Sequence, residues 1–448
     1  MRRITTLGFV LLGACDGGVG PPAPAMCEPP TGGGTEHRGT ITADETWTAA
    51  ASPHLVPSGV DVRATVTIEP CAVVRVGAGS TITVGDSVTA GRLVARGAGG
   101  VITVESQSAT EAFGGVVVLN GDLDFEDVTI DRAGANGAAI DVRGPDDGSV
   151  SPRLRALHTR VVRSAGSGLR LQRGAGFSSD STDLTITGSG TAMLDEQGHP
   201  IDIDPPGVAT IPDGTYTGNR FDTIAVRTAW PRVVVDETFH DRGVPYRIAA
   251  TFLMYDPEGG DLTLTIDPGV TMLFDRGDAD AAAGVILGNL ASGSEVRVVA
   301  AGTESAPITF VSGAASPAPG DWAGVVWRNA PATGNVISHA TFAHAGGETG
   351  TRGFGCGTPE NVGGLVIVDW APAEAFVTGS TFRDTRGAGI VSGWRLAAGQ
   401  TGVDLTADNV FENIVDYGEE GHCDVAEWWP DAPDCRVPRA DGITCVGQ

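Results

Sequence analysis

Apolar and polar residues alternate along this chain in short runs. From Thr40 onward, segments such as Val66-Thr67-Ile68, Val73-Val74-Arg75-Val76 and Thr81-Ile82-Thr83-Val84 are separated by Gly, Asp and Pro. A period of two with one apolar face is the pattern of a half-buried strand, and the residues between the runs are turn formers. The pattern therefore predicts many short strands and no long helix.

The plan occurs twice. Val66-Thr67-Ile68-Glu69-Pro70-Cys71 is matched by Leu264-Thr265-Ile266-Asp267-Pro268-Gly269, and Val101-Ile102-Thr103-Val104 by Pro307-Ile308-Thr309-Phe310. Phe113-Gly114-Gly115-Val116-Val117 is matched by Trp322-Ala323-Gly324-Val325-Val326, and Asp127-Val128-Thr129-Ile130 by His339-Ala340-Thr341-Phe342. The offsets are 198, 206, 209 and 212 (266 − 68, 308 − 102, 324 − 115, 341 − 129). Order is kept while the offset grows, as insertions in turns between equivalent strands produce. Within each half, shorter units carry an apolar residue read as inward-facing: Ile130, Val162, Ile186, Phe342, Phe382 and Phe411. One such unit cannot bury its apolar face alone, so a stack of them is the predicted folding unit.

Leu264-Thr265-Ile266-Asp267-Pro268-Gly269-Val270, followed by Ala306-Pro307-Ile308-Thr309-Phe310 and Gly320-Asp321-Trp322-Ala323-Gly324-Val325, resembles the repeat-containing right-handed parallel β-helix proteins of bacterial envelopes. The resemblance spans roughly residues 40 to 420 and implies an all-β solenoid, in two halves at 40–225 and 226–420. It implies no particular chemistry. The first half departs from it at Cys71, where the second keeps Gly269. A propeller would need regular blades of about 40 residues, a regularity this chain lacks.

The first residues read as an address. Arg2 and Arg3 precede the apolar run Ile4 to Ala14, and Leu12-Gly13-Ala14-Cys15 resembles the lipobox of bacterial lipoproteins. That resemblance implies removal of residues 1–14 and a lipid on Cys15. Residues 15–39, rich in Gly and Pro, then read as a flexible tether. The expected localisation is the cell envelope, at the outer membrane or cell surface. Asp16 resembles an inner-membrane retention signal and keeps the inner membrane, facing the periplasm, as the alternative.

Glycine is 65 of 448 residues and aromatics are 6%, against 41% hydrophobic residues, which suits a chain that turns often around a core. All 29 basic residues are arginine, excluding lysine chemistry, and the net charge is −26, or −28 once Arg2 and Arg3 are removed. Such a charge repels nucleic acid and anionic lipid surfaces, so the lipid is the expected membrane contact. Besides Cys15 there are six cysteines: Cys27, Cys71, Cys356, Cys423, Cys435 and Cys445. In an oxidising compartment they allow up to three disulfides. Their order along the chain suggests Cys27 with Cys71, while the pairing of the other four stays open. Residues 421–448, with Trp428, Trp429 and three prolines, break the strand pattern and read as a disulfide-rich cap, or as a sugar-stacking surface. Zinc would need closer cysteine pairs than this chain has.

No strong catalytic motif is present. Three constellations remain. Asp122, Asp124, Glu126, Asp127 and Asp131 form an acidic run beside Arg132; it is similar to the calcium and arginine sites of β-helix polysaccharide lyases, or it is a solvated face. Arg153, Arg155, Arg160, Arg163, Arg170 and Arg173 form a candidate polyanion-binding island, or pair with acidic neighbours. His339 and His344 sit five apart on a strand and face opposite sides, which suits packing or turns better than one metal. Apart from calcium at the acidic run, no cofactor is expected. The functional expectation is a non-catalytic, structural or adhesive envelope protein binding polysaccharide along one face. The alternatives are a polysaccharide lyase or glycoside hydrolase, and a scaffold for another envelope protein.

Overall fold

The computed structural model describes residues 27–145, 152–192, 197–227, 232–276, 282–289, 291–329, 331, 333–348, 362–370, 372–395, 403–416, 422–427 and 444–446. Cys15, Cys356, Cys435, Trp428 and Trp429 lie outside them. The chain is almost entirely β: the described helical elements are two short 3-10 turns, Ala49–Ala51 and Pro205–Thr210. No helix among the described residues is long and apolar enough to cross a membrane.

Through most of the chain, strands pair in parallel with the strand three positions later; around Ile201–Ile203, Ile224–Val226 and Tyr246–Ile248 the interval is two. Thr65–Ile68 lies beside Gly91–Arg96, Val73–Val76 beside Ile102–Ser106, and Thr81–Val84 beside Gly115–Val118. Each triplet thus adds one strand to each of three sheets. Burial alternates along these strands, with Val66, Ile68, Val74, Val76, Ile82 and Val84 buried and the residues between them half-buried. One core cluster collects the inward residues of all the sheets, from Ile41 to Val425. The segment expected as a tether is ordered by Thr35–Glu36, which pairs with His54 and Leu55. Strand order also continues past residue 421: Cys423–Glu427 pairs in parallel with Ala388–Arg395, and Thr444–Val446 in turn pairs antiparallel with it.

The two halves share one sheet. Fourteen strands, from Gly39–Ile41 to Val410–Glu412, run unbroken through both, while the other sheets end and are replaced between about residues 177 and 252. The duplicated segments fall out of phase with the triplets. Val128–Asp131 belongs to an eight-stranded sheet of the first half, yet its counterpart Ala340–Ala343 belongs to the shared sheet. Gly115–Val118 is in the shared sheet, and its counterpart Val325–Arg328 is not.

Both copies keep the same corners. A single left-handed residue stands on each side of the strand: Asp127 and Arg132, His158 and Arg163, then His339 and His344, at φ between 47° and 64°. These side chains cost about 1 kcal/mol each in that region. The backbone N–H of each bonds to the next strand's turn, as in Arg132 to Val162 O at 3.1 Å. Inward positions match the sequence expectation at Ile130, Ile186, Phe342 and Phe382. The unit between Ile130 and Ile186 differs by one residue: Val161, not Val162, stands beside both and is buried. In the second half the column is aromatic, with Phe310, Phe342, Phe382 and Phe411 stacked at 4.7, 4.8 and 5.4 Å, the spacing of neighbouring strands.

Cys27 and Cys71 form a disulfide. Cys71 has φ 65°, as Gly269 has φ 89° at the matching position, so the departure from glycine keeps the left-handed turn. Cys423 is also disulfide-bonded, and the side chain of Cys445 lies outside the described residues.

Candidate functional site

The arginine island does not exist as a surface. Its 21 residues pass over three sheets: Arg153–Leu157 in a six-stranded sheet, Arg160–Val162 in the eight-stranded one, and Ser167–Gln172 in the shared one. Density along the sequence is therefore dispersed to three faces. Arg155 reaches Asp124 and Glu126, each at 3.1 Å, and Asp180 at 2.6 Å. Arg163 pairs with Asp131, Arg170 lies 3.9 Å from Asp141 and 4.0 Å from Asp202, and the backbone N–H of Arg173 donates to Asp204. Arg153 and Arg160 are exposed, with no carboxylate in ion-pair reach among the described residues.

The acidic run divides in the same way. Asp122 and Asp124 lie on Gly121–Glu126, Asp127 is the corner, and Asp131 ends Val128–Asp131 on another sheet. Asp124 is buried among Arg92, Arg96 and Arg155. Burial opposes its ionisation, but Arg96 and Arg155 outweigh it and hold the carboxyl below its ordinary range. Among the described residues, no group of three or more His, Cys, Asp or Glu is placed to hold a metal ion. His339 and His344 are the two left-handed residues flanking Ala340–Ala343.

What the sequence reading missed is an interruption of the six-stranded sheet. Its last strand is Gly176–Phe177. The next triplet carries Asp204-Pro205-Pro206-Gly207 there; proline cannot donate to a ladder, and at the first helical positions it favours the 3-10 turn that follows. Thr210 Oγ1 replaces the missing ladder acceptor, taking the Phe177 N–H at 2.9 Å. The break leaves an open groove of about 720 Å³, lined by Arg153, Ser178, Ser179, Ser181, Thr210, Asp213 and Arg242. Arg153 lies over Gly176 on one side. On the other, Arg242 is fixed by Asp213 at 2.5 Å and by the Ile211 carbonyl at 2.6 Å.

Two buried carboxyls support the turn. Asp204 precedes it, and burial raises its pKa to about 6. Glu237, 1% exposed, accepts from Ala209 N at 2.7 Å and Thr238 N at 3.1 Å through Oε1, while Oε2 has no partner. Burial pushes its carboxyl up to about 8. The groove's chemistry is thus two guanidinium groups, serine and threonine hydroxyls and one exposed carboxylate. The one legible signal was Asp-Pro-Pro-Gly within a strand-like region; the approach of Arg242 to Arg153, 89 residues apart (242 − 153), has no local signature. Compared with known proteins, the chain matches no family model, no curated protein and no solved structure.

Proposed function

We propose that this is a non-catalytic envelope lipoprotein, structural or adhesive, whose β-solenoid binds acidic polysaccharide in the groove between Arg153 and Arg242. The groove carries the reading: guanidinium groups recognise carboxylates or sulfates through charge-assisted hydrogen bonds, and the intervening hydroxyls suit sugar oxygens. In this reading the parallel sheets close as a right-handed β-helix, the hand that parallel crossovers take in nearly every case. Cys356, Cys423, Cys435 and Cys445 form a disulfide-rich cap, and a lipid on Cys15 anchors the chain to the outer membrane or cell surface.

A glycan-cleaving enzyme is the second reading, favoured by the raised pKa values of Asp204 and Glu237. Both side chains are 1% exposed and neither lines the groove, which favours support of the turn over catalysis.

The test measures binding of a uronic-acid oligomer to the full chain. Arg153→Gln should weaken it about tenfold, the loss of one charge-assisted contact, while Arg160→Gln, on another sheet, leaves it unchanged. The mature charge of −28 repels polyanions at long range, so binding should persist from low to moderate salt. Equal affinity of Arg153→Gln and the unaltered chain overturns the reading, and release of unsaturated or reducing ends replaces it with the enzyme. Membrane pelleting that survives Cys15→Ala would overturn the anchor.

A further inference from the structure

Three polar contacts run in a row through two imidazoles near the start of the stack. Glu45 Oε2 lies 3.4 Å from His37 Nδ1, His37 Nε2 lies 3.0 Å from His54 Nδ1, and His54 Nε2 lies 2.9 Å from the Thr48 carbonyl oxygen. The end groups, a carboxylate and a carbonyl, only accept. The Thr48 carbonyl, within hydrogen-bond distance, places the His54 proton on Nε2 and leaves the Nδ1 lone pair toward His37. When His37 carries its own proton on Nδ1, on the Glu45 side, its Nε2 turns a second lone pair to the same place, 3.0 Å away, where the two nitrogens can share one cation.

Trp47 favours a cation at this place. Its indole, 1% exposed, stacks on both rings, with centroids 4.3 Å from His37 and 5.4 Å from His54, and an aromatic face attracts positive charge. Its Nε1–H donates to Glu45 Oε2 at 3.1 Å and holds that carboxylate against His37.

We infer that His37 Nε2 and His54 Nδ1 bind one imidazole-preferring transition cation, Cu2+ or Zn2+, with water completing its coordination. Metal–nitrogen bonds of about 2.0–2.1 Å set two ligand nitrogens about 2.9 Å apart at a right angle and about 3.3 Å apart at the tetrahedral angle. The observed 3.0 Å falls between them. Histidine ligands characteristically donate their other N–H to a carboxylate or backbone carbonyl, and Glu45 and Thr48 O already occupy those places. Ca2+ and Mg2+, which take oxygen ligands, do not fit two imidazoles. His54 is 1% exposed, while the His37 side chain keeps 12% and that of Glu45 40% of their surface in solvent, so the cation enters from the His37 side.

The test titrates the full chain with CuCl2 or ZnCl2, reading bound metal after dialysis and, for copper, quenching of tryptophan fluorescence. One equivalent should bind in a step that His37→Gln removes and that Glu45→Gln, which takes away an outer-shell carboxylate, weakens about tenfold. Trp47→Phe should keep the metal and lose the quenching. Because His54 is buried and its replacement can unfold the first strands, the partly exposed His37 and Glu45 carry the test, with circular dichroism as the folding control. Unchanged stoichiometry and affinity in His37→Gln overturns the inference. So does a chain that takes up neither Cu2+ nor Zn2+.

Discussion

Glu237→Gln should stabilise the protein, and by an amount that grows with pH. In the folded chain the Glu237 carboxyl is raised from 4.5 to about 8 by burial. Between those values the folded protein holds a proton that the unfolded chain has released. The group's contribution to stability is therefore complete below pH 4.5 and is lost as pH rises through about 8. At 1.36 kcal/mol per unit, the loss is about 3 kcal/mol at pH 7 and about 5 kcal/mol above pH 8. Glutamine resembles the neutral acid: its oxygen still accepts from Ala209 and Thr238, and it cannot ionise. Its amide has no acceptor, since Oε2 has no partner, which offsets the gain by about 1 kcal/mol at all pH values. Urea unfolding of both proteins between pH 5 and pH 8 reads the difference, and hydrogen exchange at the Ala209 amide reads it locally. A difference that stays flat with pH, or a variant less stable than the unaltered protein at pH 8, would refute the reasoning.

Arg155→Gln removes one of three guanidinium groups from a buried carboxylate: Asp124 keeps Arg92 and Arg96 but loses the partner opposite it, and Glu126 and Asp180 lose theirs. A loss of about 1–3 kcal/mol in urea unfolding is expected, against a change within about 0.5 kcal/mol for Arg160→Gln; equal effects would show that Arg155 is no more than a surface charge. The Cys27–Cys71 disulfide spans 44 residues, for which chain entropy gives about 4 kcal/mol. Cys27→Ser should lose up to that amount by urea unfolding without reductant. Adding Cys71→Gly should recover about 1 kcal/mol, because φ 65° suits glycine, and no recovery would mean that the turn is unstrained.

The alternation of Val66-Thr67-Ile68 and Thr81-Ile82-Thr83-Val84 was enough to identify strands, because a period of two is a local property of sequence. Repetition likewise identified a stack, and the corner positions recur at Asp127 and His339 as the paired segments require. Which residues meet was not legible. Asp124 meets Arg155 across 31 residues, and His37 meets His54 across 17, through registers that depend on the length of every intervening turn. A one-residue difference in such a turn moves a side chain to the other face, as the exchange of Val162 for Val161 illustrates. Six arginines close together in sequence were thus dispersed over three sheets, while Arg153 and Arg242, far apart in sequence, came to line one groove. Strand identity is set by neighbours along the chain; charge pairing, the groove and the histidine pair are set by neighbours between triplets, which only the stacked structure brings together.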